Sequence, residues 1–201
     1  DNGLRVETKT FVYELLKYRV LFDSYIIKPD QHNEKRKWSL QTLVANSSGT
    51  RTSSSYNTSF GKNQDSLNEK LRMILAMFHV SNPALVYKRW LNDALSILNR
   101  NVTHDADLSI DGEVYLTELE RLSDRYFEQI TGDQCLEFSE ENPGILHQGT
   151  GVQNFVFNRL DYLLWRNLYD GKAVCDITKE TLKEHFTSFQ FAFRTSVEHY
   201  F

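Results

Sequence analysis

Residues 152–168 read V-Q-N-F-V-F-N-R-L-D-Y-L-L-W-R-N-L. At 3.6 residues per turn, apolar side chains cover most of the circumference, so the stretch predicts a helix with a central place in a helical protein. The segments before it share the period. In residues 8–28, Phe11, Leu15, Tyr18, Phe22 and Ile26 recur at gaps of three and four, and Pro29 stops the helix. Ser66 and Glu69 have the spacing of a capping box and open a helix carrying Leu67, Leu71, Ile74, Leu75 and Phe78, which ends near His79-Val80. Asn82 and Pro83 suit the N-cap and first turn of another helix, with Leu91, Leu95 and Leu98 as its stripe and Trp90 beside it. Tyr115, Leu119, Leu122, Tyr126 and Ile130 place a further amphipathic helix over about 113–131.

The intervening stretches read differently. K-W-S-L-Q-T-L-V alternates through Trp38, Leu40, Thr42 and Val44, which fits a short strand or an irregular packed segment. Residues 46–63 are rich in Ser, Thr, Asn and Gly and read as a loop. Residues 101–112 read as a polar connection, and E-F-S-E-E-N-P-G closes a second one at Gly144. Asp176 or Thr178 opens a last short helix to about His185. Phe189, Phe191, Phe193, Val197 and His199 then share one face of a period-two pattern. The fold class expected is mainly α, a multi-helix bundle with a short β-strand or hairpin at the C-terminal end.

The 201 residues are 40% hydrophobic and 13% aromatic, which excludes a disordered chain. No run is long and apolar enough for a bilayer, and D-N-G-L-R-V-E lacks the basic and apolar regions of a signal peptide. Cys135 and Cys175 lie in no C-x-x-C and predict reduced thiols, so a cytoplasmic location is expected. Charge is uneven. Residues 1–100 carry 15 Lys+Arg against 9 Asp+Glu, and residues 101–201 carry 8 against 18, which together make the net −4. A basic first half suits phosphate, because neutralising the backbone supplies most nucleic-acid affinity; an uneven draw of solvated charges explains it equally well.

Phosphate-binding glycine loops, the nucleophile elbow, H-E-x-x-H and EF-hand loops are all absent. Arg51 and Lys62 sit among hydroxyls that suit a nucleic-acid backbone, and Lys88 and Arg89 stand in the basic-aromatic run Y-K-R-W. These four are the candidate DNA-binding residues. The bland alternative is a plain surface loop for the first pair and an exposed helix face for the second. No metal site is expected. His185 and His199 each follow a Glu; His199 is the candidate catalytic residue, and on the residues alone a structural His is the commoner reading of it.

Four stretches occur in order: L-L-K-Y-R-V-L-F-D-S-Y-I-I-K, K-L-R-M-I-L-A-M-F-H-V-S-N-P-A-L-V-Y-K-R-W-L, Q-N-F-V-F-N-R-L-D-Y-L-L-W-R and F-R-T-S-V-E-H-Y-F. The series resembles the middle of GmrSD-like bacterial restriction enzymes. Those pair a ParB-like nucleotide-hydrolysing domain with a His-Me finger (HNH-type) nuclease domain. The resemblance implies that the chain is a fragment: 1–145 connects to a missing nucleotidase domain, and 146–201 opens a truncated nuclease domain. It implies that His199 is the general base in the intact protein, where imidazole activates water beside a divalent metal such as Mg. It also implies DNA as partner, with self-association or the missing domains as others, and a nucleoside triphosphate for the intact protein. The Asp-Gly…Gln…Arg motif of the nucleotidase and the residues that would follow His199 are absent, so this piece is expected to be inactive alone. The alternative expectation is a non-enzymatic helical protein-interaction module.

Overall fold

The computed structural model describes residues 2–29, 38–48, 51–81, 88–132 and 149–172. In chain order these form helix α1 (Asn2–Tyr25), strands β1 (Lys28–Pro29), β2 (Trp38–Ser39), β3 (Gln41–Ser48) and β4 (Arg51–Thr58), then α2 (Asp65–Ser81) and α3 (Arg89–Arg100). Strands β5 (Val102–His104) and β6 (Ser109–Ile110), α4 (Gly112–Thr131), a 3-10 turn (Gly149–Gly151) and α5 (Asn154–Tyr169) follow. The described residues are therefore mainly α with small hairpins. The strand expected near the C-terminus, the helix opened by Asp176 or Thr178, the Asn82-Pro83 helix start and both cysteines lie outside them.

The helix placed centrally is α2. Its M-I-L-A-M-F run, residues 73–78, carries no charge, and every member is buried. A helix buried all round belongs in the middle of the stack. The expectation of a central α5 is therefore corrected. α5 packs Phe155, Tyr162, Trp165 and Leu168 inward, but Leu160 stays 54% exposed, and Arg159 and Arg166 need carboxylates at its edge. α5 lies on α2, and α4 packs on both. Phe78 is the aromatic hub: it stacks on Trp90 of α3 and Phe155 of α5 and meets Tyr126 of α4 edge-on, at centroid distances of 6.1, 6.0 and 5.8 Å.

Helix ends follow local chemistry. Asp111 caps α4 by accepting from the amides of Glu113 and Val114 at 2.9 and 3.1 Å. Gly112 follows because a Cβ there would lie 2.6 Å from Leu67 Cδ2 and 2.8 Å from Phe60 Cδ1. Glu69, expected in a capping box, is paired with Arg72. Buried Asn68 ties the chain into α2: its Nδ2 donates to the Gly61 and Gln64 carbonyls and its Oδ1 accepts from the Phe60 amide.

Two further expectations are corrected. Most of the stretch read as a loop over 46–63 is hairpin: β3 and β4 pair antiparallel from Gln41↔Thr58 to Ser48↔Arg51. The polar connection over 101–112 contains the β5–β6 pair. The face expected on α1 also divides. Of it, Ile26 reaches the core and Tyr18 and Phe22 are half-buried, whereas Phe11 and Leu15 are 66% and 59% exposed.

Candidate anion-binding cleft

A cleft of about 370 Å³ opens between α3 and α4, with Tyr18 of α1 at its side. Helical spacing builds it. On α3, Arg89, Asp93, Ser96, Ile97 and Arg100 stand at i, i+4, i+7, i+8 and i+11; on α4, Leu122, Arg125, Tyr126 and Gln129 stand at i, i+3, i+4 and i+7. Each set lies on one helix face. Ile97 and Leu122 are almost fully buried and form an apolar floor, and the three arginines are exposed at the rim.

The electrostatics are positive. Tyr126 donates to Asp93 Oδ2 at 2.6 Å. Burial first, and then Asp93, push the Tyr126 hydroxyl above its ordinary range, so it keeps its proton and serves as a donor. Arg89 approaches the same Asp93 oxygen at 3.8 Å. Arg100 and Arg125 pair with no carboxylate among the described residues. The other described arginine side chains all do: Arg19 with Asp23, Arg72 with Glu69, Arg121 with Glu118, Arg159 with Asp124, and Arg166 with Glu120 and Asp170. Both unpaired guanidiniums therefore border one cleft. In an acidic protein, that leaves a local site for an anion.

The residues singled out from sequence are spread more widely. Arg89 lines the cleft, and Lys88 precedes it, half-buried, with Trp90 turned into the core. Arg51 opens β4, and exposed Lys62 lies beyond its far end. The eight-residue strand between them spans roughly 24 Å. His199 and His185 lie outside the described residues. Arg100, Arg125 and Tyr126 were missed as site residues; their heptad-like spacing was legible, but the pairing of the two helices was not.

Among the described residues, no three His, Cys, Asp or Glu side chains gather to hold a metal ion. No described helix is long and apolar enough to cross a membrane. Compared with protein-family models, with curated proteins and with solved structures, the chain matches none.

Proposed function

We propose that the chain is the helical part of a bacterial DNA-targeting restriction or phage-defence protein, and that it contacts DNA phosphate through the α3–α4 cleft. In the intact protein it would couple a nucleotide-hydrolysing domain to a metal-dependent HNH-type nuclease in the cytoplasm, with His199 as general base. The observation that supports a polyanion partner is the gathering of Arg89, Arg100 and Arg125 around one opening, two of them without a counter-charge among the described residues. Guanidinium is suited to phosphate because its fork donates two parallel hydrogen bonds. The test is DNA binding by the chain over a salt series. Measurable binding at low salt that weakens steeply as salt rises is expected; no binding at low salt contradicts the proposal.

A second reading, a helical protein-interaction module, rests on α1. Val12, Leu16 and Val20 are 46%, 59% and 45% exposed there, alongside Phe11 and Leu15. An apolar stripe of this length normally faces another surface.

A further inference from the structure

We infer that the α3–α4 cleft is a pocket for a single nucleotide, free or at the end of a DNA strand, rather than one stop on a track along duplex backbone. The inference rests on the phosphate-contact reading above. A duplex backbone is met by cations spread along its length. Here the cations ring a concavity of about 370 Å³, which lies within the range of small-ligand pockets and far exceeds the needs of one phosphate group.

The cleft is divided chemically. At one end Asp93 is occupied by Tyr126 and faced by Arg89, so a phosphate placed there would meet a carboxylate. Arg100 and Arg125 have no carboxylate partner among the described residues and come from two different helices. Arg100, seven residues beyond Asp93 on α3, marks the phosphate end, and Arg125, whose charge also acts on Tyr126, borders both ends. The rest offers the Ile97 and Leu122 floor with the Tyr18 and Tyr126 rings, which suits a planar heterocycle better than a sugar alone. Ser96, Asn99 and Gln129 supply hydroxyl and amide groups for the ring's polar edge. Asn99 is held in place by donating to Tyr18 Oη at 3.3 Å. The ligand class is therefore a nucleoside monophosphate unit: an anion for the guanidiniums joined to an aromatic base for the floor.

Calorimetric titration of the full chain at low salt tests this with five probes: deoxyadenosine monophosphate, deoxyadenosine, ribose 5-phosphate, inorganic phosphate, and a short DNA offered as a 5′-phosphorylated single strand and as a blunt duplex. The expected result is binding of the monophosphate or of the phosphorylated strand, whichever is the natural source, at least about ten-fold tighter than deoxyadenosine, ribose 5-phosphate or inorganic phosphate. Arg100→Gln and Arg125→Gln, both exposed and without a carboxylate partner among the described residues, should each weaken that binding about ten-fold or more, the loss of one charge-assisted contact. Inorganic phosphate or ribose 5-phosphate binding as tightly as the nucleotide overturns the base-binding half. Duplex binding without nucleotide or strand-end binding overturns the pocket while leaving the DNA proposal standing. Binding of none of the probes overturns both.

Discussion

Asp111 and His79 show how single side chains set the fold's conditions. Asp111 satisfies two amides at the start of α4 that nothing else reaches. Asp111→Ala should lower stability by about 1 kcal/mol, read as a shift in the denaturant midpoint without a change in slope. His79 packs edge-on against Trp38 at 4.6 Å and Trp90 at 6.1 Å. Burial first, and then the Lys88 charge, lower its pKa to about 4 from 6.5. The unfolded chain takes up this proton below about pH 6.5 and the folded chain only near pH 4, so this group costs no stability above 6.5 and lowers it as pH falls towards 4. Partial exposure trims the effect to about 2 kcal/mol or less. His79→Phe keeps the aromatic contact, and thermal melts between pH 7 and 4 should show a flatter decline than the wild type. An unchanged pH profile would contradict the buried neutral imidazole.

Between elements, the informative link joins α2, α4 and α5. Lys70 meets Asp170 at 2.7 Å, Asp170 accepts from Arg166 at 3.1 Å, and Arg166 reaches Glu120, which also accepts from Tyr162 at 3.0 Å. Burial pushes the Asp170 carboxyl up, but the hydrogen bond and charge of Lys70, with Arg166, outweigh it and hold the pKa below its ordinary value. That contribution is present above the unfolded pKa and disappears as pH falls through the folded one. Asp170→Asn should cost about 1 kcal/mol or less at neutral pH, because solvent screens an exposed carboxylate, with the difference from wild type narrowing in strong acid.

The helices of this link were legible because Leu67, Leu71 and Ile74 in α2 and Tyr115, Leu119 and Leu122 in α4 recur at helical spacing, and α5 is apolar over most of its circumference. The β3–β4 hairpin was not. Its second strand is polar on both faces except for Tyr56, which lies 64% exposed beside Leu43, so no buried face marks the period. The α1 face was legible as apolar, but sequence cannot tell how far a helix runs beyond its core. The rank of α2 over α5 was hidden for a related reason. Arg159 and Arg166 look like ordinary polar positions until Asp124 and Glu120 are found opposite them.

Over the whole molecule, charge and topology act together. The chain is net acidic, and its excess of basic residues in the first half pointed to phosphate without locating it. Folding gathers one arginine from the Y-K-R-W run, one from the end of α3 and one from the acidic second half. Arg125 was invisible to a charge count because its half of the sequence is strongly negative. The candidate site was thus legible only at Arg89; the rest exists because α3 and α4 pack side by side under Tyr18.

The most direct test of the account is the salt dependence of DNA binding by the wild type and by an Arg89→Gln, Arg100→Gln, Arg125→Gln triple variant, with folding verified by circular dichroism. Each phosphate contact contributes about 0.9 to the slope of log affinity against log salt. If the cleft holds the phosphate, the triple variant should bind more weakly and lose roughly one to two units of slope. Equal slopes in the two proteins would contradict the cleft as the DNA-contacting site.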